Sequence, residues 1–145
     1  MTAVSADTPP DFKITRDGTW WHDGAPIKRA ALAKLFADRA LTIDENGNYW
    51  LQTPFEKYPV EVEDVPFVII DYDRGEQSLT MTTNMHEKIT IDKTTNWQLR
   101  GGIPYVEVRK GLYARIGRSA LYNLIEECGA QVESDGRNFP LGEPA

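Results

Sequence analysis

The chain has 145 residues, a formal net charge of −6 and one cysteine, Cys128. That length suits one compact domain or two small lobes sharing a core; the acidic balance argues against a nucleic acid partner, and a lone cysteine excludes an intramolecular disulfide. No apolar run approaches the roughly 20 residues that span a bilayer, and MTAVSADTPPD lacks the pattern of a signal peptide. A cytoplasmic protein with no membrane partner is therefore expected.

Residues 1–11 are polar, carry Pro9-Pro10 and are expected to form a flexible tail. Residues 12–15 alternate apolar and polar side chains, and Asp17-Gly18 offers turn chemistry for a hairpin returning over 19–22. Asp23-Gly24 turns again, and Pro26 is expected to stop the ladder. A helix is predicted over 28–40, with Ala31, Leu32, Leu35 and Phe36 as its apolar face. Strands over 41–44 and 49–53 flank Asn46-Gly47, the preferred pair for a type I′ turn. Within 55–72, Val60 and Val62 alternate with Glu61 and Glu63, giving one apolar and one acidic face. After Pro66, residues 67–70 form the continuous apolar run of a buried strand.

Arg74-Gly75 is predicted to turn the chain into strands over 78–83 and 88–92. A hairpin of 105–109 and 112–116 turns at Lys110-Gly111. The second helix is predicted over 119–128, with Leu121, Leu124, Ile125 and Cys128 in one stripe; Gly129 is placed to end it in the left-handed conformation. A hairpin over 131–141 around Asp135-Gly136 closes the chain.

The elements repeat. RAALAKLF at 29–36 reads against RSALYNLI at 118–125, and the same offset of 89 sets Asp44 on Glu133, Asn46 on Asp135, Gly47 on Gly136 and Trp50 on Phe139. TWWHDGAPI resembles NWQLRGGIPY, pairing Trp20 with Trp97. The expected fold is α+β, a duplicated strand–helix–hairpin motif with antiparallel sheets, in an N-terminal lobe of 12–73 and a C-terminal lobe of 74–145.

Chemical signatures are sparse. The chain has no P-loop, dinucleotide fingerprint or nucleophile elbow, and no cofactor is expected. His22 and His86 lack partners at metal-ligand spacing, so no metal site is expected. Glu61, Glu63 and Asp64 would suit a hard cation or arginine partners, although a solvated strand face is the plainer explanation. Arg109, Arg115 and Arg118, near Tyr105, Tyr113 and Tyr122, would suit a carboxylate, phosphate or peptide. They would equally suit internal ion pairs with the VEVED segment. Trp20 and Trp21 are adjacent in a strand and must point to opposite faces.

RDGTWWHDGAPIKR, DENGNYWLQTPFEKYPVEVEDVPF, VRKGLYARIGRSALYNL and SDGRNFPLG resemble a bacterial family catalogued only as domain of unknown function 1285. The resemblance spans about 11–142 and implies an α+β fold with a structural duplication, a C-terminal half loosely like a pleckstrin-homology (PH) barrel, a ligand or peptide site at the junction of the halves, and a role in signalling. The family's recurrent residues fall on Thr53, Glu56, Lys57, Glu61, Glu63, Asp64, Pro66, Phe67, Arg115, Arg118 and Tyr122. The resulting expectation is a non-enzymatic regulatory module for a peptide, protein or small anionic ligand, with a site between the repeats formed by Trp21, Lys57, Glu61, Glu63, Asp64, Arg115, Arg118 and Tyr122. One alternative is a hydrolase-like enzyme using Glu61, Glu63 or Asp64, which requires a deep pocket and a strongly perturbed carboxylate. The other is a homo-oligomerisation element.

Overall fold

Alternation of apolar and polar residues makes strand the main element, and the computed structural model, which describes residues 11–142, is mostly sheet with two short helices among those residues. Apart from Asp11, the expected tail lies outside the described residues. The chain divides into two compact units, Met1–Pro66 and Phe67–Ala145. The sequence suggested a boundary at 73/74, but Phe67–Gly75 is one uninterrupted strand of the second unit.

The first unit is a six-stranded sheet in the order β3-β2-β1-β6-β5-β4. Its strands are β1 (Phe12–Ile14), β2 (Trp20–His22), β3 (Ala25–Pro26), β4 (Leu41–Ile43), β5 (Tyr49–Gln52) and β6 (Lys57–Val62). The expectation of antiparallel sheets is corrected here. β1 runs parallel to β6, pairing Phe12 with Val60 and Ile14 with Val62, so the sheet is mixed. Pro26 does not stop the ladder but pairs with Trp21; β3 is an edge strand, where a missing N–H is tolerated.

One face of this sheet buries Phe12, Ile14, Trp20, Leu41, Leu51 and Val60. The helical segment packs on that face through Phe36, whose ring meets those of Phe12 and Trp20 at centroid distances of 5.9 and 6.0 Å. This segment departs from the predicted helix. It consists of α1 (Ala30–Leu35) followed by a π-helical turn (Phe36–Ala40). Its buried residues are Ala33, Ala37 and Ala40, while Leu35 is 53% exposed. Small alanines let the backbone approach the sheet closely, an advantage that ranking residues by hydrophobicity misses.

The second unit has a mixed sheet in the order β10-β11-β12-β7-β8-β9. Its strands are β7 (Phe67–Gly75), β8 (Ser78–Thr83), β9 (Lys88–Ile91), β10 (Trp97–Arg100), β11 (Ile103–Arg109) and β12 (Leu112–Ile116). The parallel pair is β12 with β7, Ala114 opposite Phe67 and Ile116 opposite Ile69. Arg74 and Gly75 lie inside the β7–β8 ladder, opposite Leu79 and Ser78. The turn falls instead on the next two residues, Glu76 and Gln77, with Gln77 at φ 62°.

Helix α2 (Arg118–Cys128) follows β12 directly and buries Ala120, Leu121 and Leu124; Ile125, predicted on the buried stripe, is 40% exposed. The entry to α2 requires glycine. The Gly117 N–H donates to the Ile69 carbonyl at 2.9 Å, and a Cβ on Gly117 would lie 2.7 Å from that same oxygen. Gly129 ends the helix at φ 83°, ψ −137°, outside the left-handed helical region expected for it. A separate two-stranded ladder, β13 (Gln131–Ser134) with β14 (Arg137–Pro140), follows.

Both units are therefore α+β and carry a helix followed at once by an antiparallel hairpin, β4–β5 in the first and β13–β14 in the second, consistent with duplication. The turn at Asp23-Gly24, between paired His22 and Ala25, corresponds to that at Gly101-Gly102, between Arg100 and Ile103. Among the described residues no helix is long and apolar enough to cross a membrane.

Candidate functional site on the outward face of the first sheet

Side chains alternate between the two faces of a strand, so burying Phe12, Ile14, Trp20 and Val60 turns their neighbours outward. The registers Trp21–Pro26, Lys13–Trp21 and Lys13–Glu61 set Pro26, Trp21, Lys13 and Glu61 in one row across four strands. A second row brings Trp50 beside Pro59, and the Lys57 ammonium sits 4.5 Å from the centroid of the Trp50 ring. Of the eight predicted site residues, Trp21, Lys57 and Glu61 thus share this face, and Glu63 and Asp64 continue from its edge.

The carboxylates have cationic partners. Lys13 Nζ lies 3.2 Å from Glu63 and 3.8 Å from Glu61. Glu63 also accepts the Arg16 backbone N–H at 2.9 Å, and the Arg16 guanidinium donates to Asp64 at 3.1 Å. The Arg16 N–H, ahead of Lys13, holds the Glu63 carboxyl below the usual carboxylate range. Reciprocally, Glu63 raises Lys13 above the usual lysine value. Asp17 is likewise held low, first by the Thr15 hydroxyl at 2.5 Å and then by Thr19. Thr15, Arg16, Asp17, Thr19, Trp21 and Glu63 line an open depression of about 370 Å³.

Lys13, Arg16 and Asp17 escaped the sequence reading. They meet the acidic run only because β1 and β6 pair in parallel across 48 positions, from Phe12 to Val60. No local pattern encodes that pairing.

The remaining three predicted residues belong to the second unit. Arg115 lies half-buried on β12, opposite Tyr105 and Val68. Arg118 opens α2 and is exposed; its Nε donates to the Tyr122 hydroxyl at 3.4 Å, and its guanidinium lies 5.7 Å from that ring's centroid. Arg109 pairs with Glu87 at 2.5 Å. His22 stacks on Phe12 at 4.4 Å, and His86 is exposed in the turn between β8 and β9 at φ 65°. Among the described residues, no group of three or more His, Cys, Asp or Glu is placed to hold a metal ion.

Two family models match consecutive stretches of the chain. The N-terminal domain of DUF1285, a domain of unknown function, matches residues 5–65, and the C-terminal domain of the same family matches 66–141. The chain belongs to the DUF1285 family. It is similar to the crystal structure of a DUF1285 family protein from Silicibacter pomeroyi DSS-3, with 33% identity, a TM-score of 0.77, and coverage of 91% of this chain and 79% of that one. It is also similar to that of a DUF1285 family protein from Shewanella baltica OS155, with 32% identity, a TM-score of 0.67, and coverage of 81% and 92% respectively. No curated protein matches the chain.

Proposed function

We propose that the chain is a non-enzymatic binding module that recognises a peptide or protein segment on the outward face of its first sheet and serves a regulatory role in bacterial signalling. The observation that carries this is the row Pro26, Trp21, Lys13 and Glu61, with Trp50 and Lys57 beside it, on the face away from the core. Tryptophans are enriched at binding surfaces, where they act as anchors inside a polar rim, and Trp21 and Trp50 stand here with Lys13, Lys57 and Glu61 around them. Glu63 favours binding over catalysis. A general acid needs a pKa raised toward neutrality, whereas Glu63 is shifted the other way.

The anionic-ligand version of this proposal falls to the second unit, where Arg118 stands exposed against Tyr122 at the start of α2. The PH-like description of that unit is supported by its two three-stranded meanders, β7-β8-β9 and β10-β11-β12, followed by a helix.

The test is titration of the full chain with a pool of short peptides of mixed charge, followed by tryptophan fluorescence and indole NMR. The expected result is a saturable shift of Trp21 or Trp50 that Lys57→Ala weakens. Unmoved tryptophans across the pool overturn the proposal. For anionic ligands, inorganic phosphate is the probe, and any response should disappear in Arg118→Ala.

A further inference from the structure

We infer that the depression beside Trp21 receives a cationic side chain, an arginine or lysine carried on a basic segment of the partner. This rests on the binding proposal above and names the chemistry that the face selects. The indole of Trp21 and the side chains of Thr15 and Thr19 give the depression apolar wall, and Asp17 and Glu63 set carboxylates in its lining. An indole beside carboxylates matches a guanidinium or ammonium group, which is drawn both to the ring face and to the anions.

The charges within and around the depression point the same way. Lys13 and Arg16 supply two cations; Asp17, Glu61, Glu63 and Asp64 supply four anions, leaving a balance of −2. The Arg16 guanidinium is directed onto Asp64 and Lys13 onto Glu63 and Glu61. Hydrogen bonds from Thr15 and Thr19 keep Asp17 ionised. The lining also includes Arg16, whose guanidinium is turned onto Asp64, so an incoming carboxylate or phosphate would meet two anions and one engaged cation, and a guanidinium or ammonium group is the better match.

The experiment uses the full chain and three short capped peptides identical except at the central residue: arginine, its uncharged analogue citrulline, and glutamate. The Trp21 indole signal, assigned by its loss in Trp21→Phe, is followed by NMR. The arginine peptide should shift this signal saturably and the citrulline peptide should bind at least threefold more weakly. The glutamate peptide should leave the signal unmoved. Glu63→Gln should weaken the arginine peptide at least threefold, as should raising the salt to 1 M, where the screening length falls to about 3 Å. Circular dichroism of each variant confirms folding. Equal or tighter binding of the glutamate peptide overturns the inference, as does arginine binding untouched by both Glu63→Gln and salt. Should peptides shift Trp50 but never Trp21, this inference falls and the binding proposal stands. If neither tryptophan responds to any peptide, both fall.

Discussion

The hairpins that follow the two helices match in sequence without a gap, yet they are not paired alike. In the first, Ile43 pairs with Tyr49 across a five-residue connection, 44–48. Only Gly47 has positive φ there, at 86°, and its N–H donates to the Asp44 carbonyl at 3.1 Å. The predicted type I′ turn, which needs positive φ at two successive residues, is therefore absent at Asn46-Gly47. In the second hairpin it is present, with Asp135 at φ 53° and Gly136 at φ 79° between paired Ser134 and Arg137.

Adding 89 to Ile43 and Tyr49 gives 132 and 138, but Val132 pairs with Phe139. The returning strand has slipped by one residue, and a slip of one moves every side chain to the opposite face. Phe139 is consequently fully buried, while its sequence counterpart Trp50 faces outward beside Lys57. Tyr49 shows the converse: it is half-buried, and its counterpart Asn138 is exposed. A change in turn chemistry has converted a core position of one copy into a surface aromatic of the other.

The strongest way to break this comparison is to truncate both members of the pair. Phe139→Ala should cost about 3–5 kcal/mol, the scale for emptying a buried aromatic site. Trp50→Ala should cost less than about 1.5 kcal/mol, because it removes one hydrogen bond, from the indole N–H to Asp44 at 3.0 Å, and the cation–π contact with Lys57 from a half-buried ring. Urea unfolding measures both, and equal losses would refute the assignment of faces.

The turns provide the next test. Asp135→Ala places alanine at positive φ and should cost about 1 kcal/mol. Asn46→Ala, at ordinary φ, should stay within about 0.5 kcal/mol. The comparison fails if Asn46→Ala proves the more damaging of the two.

The smallest effect is in acid. The Trp50 indole N–H, followed by the Asn48 N–H, holds Asp44 below the usual carboxylate range. A depressed folded-state pKa contributes stability that is present above the unfolded value near 4 and lost as pH falls through the folded value. Thermal melts should therefore show the first hairpin's contribution fading below about pH 4, and Asp44→Asn should flatten that acid limb. An unchanged limb would mean that Asp44 is not anchored in this way.

Much of the architecture was legible in the chain. The second helix, the β11–β12 hairpin, the closing hairpin and the opposed faces of Trp20 and Trp21 follow from apolar spacing and turn residues. The mixed sheets did not, because β1–β6 and β7–β12 join strands distant in sequence, and nothing in Phe12 or Phe67 names its partner. The apolar face of α1 was misplaced because Leu35 outranks Ala33 on any hydropathy scale, while the packing selected the smaller residue. For the site, Trp21, Lys57 and Glu61 were expected together in a groove between the repeats, largely from the family resemblance, whereas they share the outward face of the first sheet. Lys13, Arg16 and Asp17 became visible only with the parallel pairing.

That pairing also governs when each unit is able to form during synthesis. Phe12 waits 48 positions for Val60, and Phe67 waits 47 for Ala114. Until the later strand has left the ribosome, the earlier one has an unsatisfied edge that any passing extended chain could occupy. Long-separation contacts are the slow ones to establish, so a nascent chain stalled before residue 57 or residue 112 has its greatest need of a chaperone there.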